Sequence, residues 1–180
     1  FGGGIDMTGG VVSNCNIMYN SGADGAGGIR ISGGLVVQSV IAYNWQTRGD
    51  ATTKGGGGLY VTGGRIENVL VHSNRSEGSG YGAGIWMSAG ILVHCTVADN
   101  IRTFADPFSG LYMTGGSVTN SIFYYNGSTY PVGGDENIYS SGGTVVYSCT
   151  QPSVSGTGNI SGNPGFENRR NEKRAEAYRE

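Results

Sequence analysis

The chain has 180 residues, with 35 Gly, 4 Pro and 3 Cys; 37 % are hydrophobic, 13 % are charged, and the formal net charge is −2. Gly spread through every segment excludes a helical bundle, because each helical Gly costs about 1 kcal/mol, and its irregular spacing excludes collagen. No basic face points to a nucleic-acid partner, and no apolar run approaches the roughly 18 residues of a spanning helix, so no membrane insertion is expected.

The chain opens at Phe1 without an initiator Met or a leader, which reads as a piece of a longer protein. Gly4-Ile5-Asp6-Met7-Thr8-Gly9-Gly10 is then the first copy of a repeat. It returns at Gly28–Gly34, Gly58–Gly64, Gly84–Gly90 and Gly110–Gly116, and in decayed form at Asn137–Gly143. Each of the first five copies is followed, without gaps, by a second constant stretch: residues 12–20, 36–44, 66–74, 92–100 and 118–126. All length variation falls in the connections at 21–27, 45–57, 75–83, 101–109 and 127–136, which read as loops.

Ile5 and Met7 alternate with Asp6 and Thr8, a period of two that predicts strands. In the second stretch Val12, Cys15 and Ile17 form the apolar set, and the phase break at Asn14 predicts a tight turn. Three short strands in a repeat of about 25 residues cannot bury a face alone, but stacked copies share one continuous core. The pattern therefore predicts an all-β solenoid of about six stacked coils over residues 1–166. Asn20, Asn44, Asn74, Asn100 and Asn126 close each copy and should stack as an amide ladder. That role argues against reading Asn74-Arg75-Ser76 and Asn126-Gly127-Ser128 as glycan acceptor sites.

Cys15 and Cys95 share a repeat position three repeats apart, about 14 Å at strand spacing, so they should not bridge. All three Cys, including the offset Cys149, read as small buried thiols. The charged tail 167–180 is either a polar end cap or a frayed end.

The glycine and asparagine elements resemble the repeats of right-handed parallel β-helices of the pectin-lyase-like superfamily. The nearest likeness is to the repeat of polymorphic outer-membrane proteins and related bacterial surface proteins. Asn159-Ile160 with Asn163-Pro164-Gly165-Phe166 resembles a segment that closes such helices, with Asn163 where Asp is usual. The resemblance implies a secreted or cell-surface location. It leaves the activity open, because the superfamily includes lyases, hydrolases, adhesins and passive stalks.

Catalysis in that superfamily uses clustered carboxylates with Arg, Lys or His. Here His94 falls on the turn position of Asn14, Asn68 and Asn120, and His72 should face outward with no acid in its column. Asp24, Asp50, Glu77, Asp106, Asp135 and Glu136 are dispersed among the variable connections. They read as polar loop residues or as a row able to bind Ca²⁺, with Asp50, Arg48 and Lys54 the least unfavourable lyase site. No other metal or cofactor is expected.

The outward column of the first strand reads Asp6, Arg30, Tyr60, Trp86, Tyr112, Tyr139. Beside it run Thr8, Ser32, Thr62, Ser88, Thr114 and Ser141. Asp6 and Arg30 should form a surface ion pair. An exposed aromatic strip flanked by hydroxyls suits sugar rings. The expected function is a non-catalytic carbohydrate-binding or adhesin-like module whose glycan contacts are Tyr60, Trp86, Tyr112, Tyr139, Thr62, Ser88 and Thr114. On that reading, Trp86→Ala weakens binding without unfolding. The competing readings are cross-strand ring stacking alone, a protein partner on the strip, an adhesin spacer, and a lyase or hydrolase.

Overall fold

The computed structural model describes residues 2–48, 55–77, 81–103, 108–129 and 136–166. They form an all-β, all-parallel solenoid without a helix. The first sheet stacks Ile5–Met7, Ile29–Ile31, Leu59–Val61, Ile85–Met87, Phe108–Met113 and Glu136–Ser140. The second starts at Val11–Ser13 and ends at Thr144–Val146; the third starts at Asn16–Met18 and ends at Cys149–Thr150.

A fourth, five-stranded sheet was not expected. Its strands are Ser21–Gly22, Trp45–Gln46, Arg75–Ser76, Ile101–Arg102 and Gly127–Ser128. They occupy the start of each stretch read as loop. Among the described residues the sixth coil has no strand in this sheet, so six coils in the first three sheets close about five full turns.

Each of the first five coils turns at three left-handed residues. The first corner belongs to Gly10, Gly34, Gly64, Gly90, Gly116 and Gly143, with φ from +80° to +100°. Such φ values disfavour any side chain, which explains the second Gly of each pair. The second corner is the predicted phase break, with Asn14 at φ +53°, Asn68 at +51°, His94 at +53° and Asn120 at +49°. His94 is thus a turn residue, within 3.3 Å of the Asn120 amide. The third corner holds Tyr19, Tyr43, Ser73, Asp99 and Tyr125, with φ from +53° to +59°.

Inward residues of the first three sheets make one apolar column along the axis, including Ile31, Val61, Leu92, Val97 and Phe123, all fully buried. Alongside it runs the asparagine ladder. The Asn74 side chain is fully buried and donates through Nδ2 to Asn100 Oδ1 at 2.9 Å and to the Ile41 carbonyl at 2.9 Å. Its Oδ1 accepts from the backbone N–H and Nδ2 of Asn44, both at 3.0 Å. Every polar group of that amide is therefore satisfied without water. In the first five copies the opening glycine of the repeat leaves room for it: a Cβ on Gly58 would lie 2.9 Å from Asn74 Nδ2.

A second ladder runs through the position of Cys15 and Cys95. Ser39 Oγ accepts the Cys15 N–H, Ser121 Oγ accepts that of Cys95, and Ser148 Oγ accepts that of Ser121, at 3.1–3.2 Å. Asn159 Oδ1 ends the row by accepting the Ser148 N–H at 3.0 Å. Ile160 bridges to Cys149 and exchanges backbone bonds with Ser148 and Thr150. The segment around Ile160 therefore lies against the sixth coil. Cys95 and Cys149 are buried, but Cys15 is exposed, because its coil has no described coil beneath it. The tail 167–180 lies outside the described residues.

Candidate functional site

The register confirms the first-sheet column: Asp6 pairs with Arg30, Arg30 with Tyr60, Tyr60 with Trp86, Trp86 with Tyr112, and Tyr112 with Tyr139. Arg30 Nη1 and Asp6 Oδ1 form the expected ion pair at 2.9 Å, with both side chains about one-third exposed. Parallel strands about 4.8 Å apart match the stacking distance of aromatic rings, so the rings face one another along the axis. Tyr60 stacks on Trp86 at 4.6 Å and 9°, and Tyr112 on Tyr139 at 4.7 Å and 18°.

The expectation of a uniformly exposed strip needs correction at Trp86, which is only 4 % exposed. Tyr60, Tyr112 and Tyr139 are half-buried. Part of the cover comes from Tyr81, in the connection before the Ile85–Met87 strand, which stacks on Tyr112 at 4.5 Å and 24°. Desolvation pushes the Tyr112 phenol above its ordinary pKa, with Tyr139 and Tyr81 adding to the shift. Arg102, fully buried in the fourth sheet, sets its guanidinium 5.4 Å from the Tyr81 ring centre. The ring faces are thus largely spent on each other, and ring edges remain outward.

The hydroxyl column keeps its exposure better. Thr8, Ser32, Thr114 and Ser141 are exposed; Thr62 and Ser88 are half-buried. Ser32 and Thr62 direct their hydroxyls to the Met7 and Ile31 carbonyls at 3.5 and 3.4 Å, at the limit of hydrogen bonding. Those hydroxyls keep most of their capacity for an external partner.

Of the dispersed acids, Glu77 is paired with Arg75 at 2.8 Å and Asp24 is exposed. Asp50, Lys54, Asp106 and Asp135 lie outside the described residues, as does the Glu136 side chain. Among the described residues no three His, Cys, Asp or Glu come together as metal ligands. His72 sits edge-on to Tyr43 at 5.5 Å. Desolvation pushes its pKa below the ordinary imidazole value, and the nearby Asp99 charge pulls the other way.

Sequence reasoning missed a second aromatic group at the corner between the third and fourth sheets. Tyr19, Tyr43 and Trp45 are 77 %, 37 % and 40 % exposed. Tyr19 and Tyr43 stack at 5.2 Å and 6°, and the Arg75 guanidinium lies 5.2 Å over the Trp45 ring. The tyrosines occupy the position before the ladder Asn, and Trp45 directly follows it, in a stretch read as loop.

Compared with family models, curated proteins and solved structures, the chain matches none of them.

Proposed function

We propose that this chain is a non-catalytic β-solenoid module that binds carbohydrate, in the manner of an adhesin, along the first-sheet face. The observation that carries the reading is the stack of the in-register pair Tyr112 and Tyr139, at 4.7 Å, capped at 4.5 Å by Tyr81 from the connection, with the exposed Thr114 and Ser141 beside it. Stacked rings have already lost their side-chain freedom, so a ligand gains contact area at little further entropic cost. Their edges, together with a hydroxyl on every coil, offer a polar and apolar repeat of about 4.8 Å along the axis. An extended polysaccharide presents alternating C–H and hydroxyl groups on a comparable length scale. In this reading the repeat is of the right-handed, pectin-lyase-like, surface-protein kind, and the module works outside the cell.

Retention on a panel of immobilised neutral and acidic polysaccharides, with Ca²⁺ present, tests the proposal. Retention by one or a few glycans, reduced at least fivefold in the double variant Thr114→Val/Ser141→Ala, is the expected result. Equal retention of that variant, or no retention on any glycan, overturns it.

A further inference from the structure

The Trp45 corner has a geometry that the first-sheet face lacks: an aromatic face left open to solvent. Trp45 pairs in register with Arg75 on one side and Ser21 on the other. Arg75 covers one indole face, with Cζ 5.2 Å from the ring centre. On the opposite side stands the exposed Ser21, whose single hydroxymethyl group is too short to cover an indole. Trp45 is 40 % exposed, against 4 % for Trp86. The difference lies in the neighbours along the column: Trp86 meets a Tyr ring at stacking distance, whereas Trp45 meets Ser21.

The surroundings of the open face are defined by the repeat. Tyr19 precedes Ser21 by two residues and Tyr43 precedes Trp45 by two, with the ladder residues Asn20 and Asn44 between them. Asn44 is fully buried, while both tyrosines are exposed, so the tyrosines and Trp45 share the outer side of one corner. The tyrosines are held parallel at 5.2 Å, and Tyr43 is braced by the edge of His72. Backbone bonds fix the corner as well: Trp45 N–H donates to the Asn20 carbonyl at 2.9 Å and Arg75 N–H to the Asn44 carbonyl at 2.8 Å. The corner thus carries an exposed indole next to a small hydroxyl residue, with two exposed tyrosines two residues before them in the chain.

We propose that Trp45, Ser21, Tyr19 and Tyr43 form a second sugar subsite that takes a neutral pyranose, stacked on the open face of Trp45. The C–H face of a pyranose matches an indole, and the exposed Ser21 and Tyr19 supply hydroxyls of the kind that ring hydroxyls bond to. Arg75 is already paired with Glu77 at 2.8 Å, so it holds the Trp45 ring from behind and does not recruit an acidic sugar. The corner is separate from the first-sheet face, and the two sites stand or fall independently.

The two indole N–H signals of the chain, from Trp45 and Trp86, provide the test. The intact protein is titrated in a ¹H–¹⁵N NMR experiment with cellohexaose, mannohexaose and chitohexaose, then with digalacturonate and choline. The signals are assigned with Trp45→Phe. The expected result is a saturable shift of Trp45 with at least one neutral oligosaccharide, at millimolar concentration, while Trp86 stays still. Tyr19→Ala, which removes an exposed ring stacked on Tyr43, should weaken that response at least threefold. No Trp45 shift with any neutral oligosaccharide overturns the proposal, even if first-sheet amides respond. A larger Trp45 shift with digalacturonate or choline overturns the assignment to neutral sugars.

Discussion

Asn126 donates its backbone N–H and its Nδ2 to Oδ1 of Asn137, at 3.0 and 2.8 Å, only eleven residues further along the chain. Every earlier rung joins residues 24 to 30 apart. Asn137 occupies the repeat position that is Gly in the other five copies, where a Cβ would meet the ladder amide. The sixth coil has no Asn at the closing position, so the side chain of Asn137 fills that slot. Its Nδ2 donates to the Gln151 carbonyl at 2.6 Å. The decayed sixth repeat is thus a ladder terminus. Asn137→Gly should leave the buried N–H of Asn126 without its acceptor, while Nδ2 keeps the Val97 and Tyr124 carbonyls, and should cost about 1–3 kcal/mol. Asn74→Ala, which cuts the ladder in the middle, should cost more, about 3 kcal/mol or above. Urea unfolding measures both; the opposite order contradicts a continuous ladder.

Gly10 and Gly34 share a corner and a left-handed φ, +80° and +94°, but differ in what lies beneath. A Cβ on Gly10 meets nothing within 4 Å, whereas one on Gly34 would lie 2.5 Å from the Gly10 carbonyl oxygen. Gly10→Ala should therefore cost only the backbone strain, about 1–2 kcal/mol. Gly34→Ala should cost at least ~1 kcal/mol more, because backbone of the preceding coil must move. Equal losses in Tm for the two variants would show that the coils are not packed at this distance.

Trp86 is a stability residue before it is anything else. At 4 % exposure and stacked on Tyr60, its truncation to Ala should cost about 3–5 kcal/mol. This replaces the expectation that Trp86→Ala tests binding alone. Trp86→Phe keeps a ring in the stack and should recover more than half of the loss. A Trp86→Ala protein with the parental Tm would refute the burial.

The three thiols should separate by reactivity. Burial pushes the Cys95 pKa up to about 11, aided by Glu67 and opposed by hydrogen bonds from backbone and by Arg65. Burial raises Cys149 as well, while Cys15 is exposed. At pH 8 a disulfide reagent should modify Cys15 rapidly and Cys95 only on unfolding. Because the folded pKa of Cys95 lies above its unfolded value of about 8.5, its stabilising contribution is complete below pH ~8.5 and declines as pH rises toward 11. Cys95→Ala should lose that alkaline decline relative to the parent. Rapid modification of Cys95 in the folded protein would contradict the account.

The sequence alone made the first three sheets legible, since Ile5 through Met7 and its copies keep a strict alternation and the second stretch aligns without gaps. The fourth sheet was illegible because a pair such as Trp45–Gln46 is too short to show a period. The aromatic column was legible from spacing, but its burial was not. Tyr81 comes from a connection of variable length, and nothing local to Tyr112, on which it stacks, announces it. The serine ladder was hidden because Cys15 and Cys95 drew that position toward an apolar reading, while Ser39, Ser121 and Ser148 carry its hydrogen bonds. Asn137 acts in the ladder from another place in the repeat, so alignment by column conceals it.

In the proposed function the first-sheet face contacts carbohydrate while the ring stack beneath it is structural. The most direct test is backbone amide NMR of the intact chain titrated with whichever glycan retains it. Shifts that cluster at Thr62, Ser88, Thr114 and Ser141, with saturation, are the predicted result. Saturable shifts confined to the second and third sheets, or none at millimolar glycan, would contradict it.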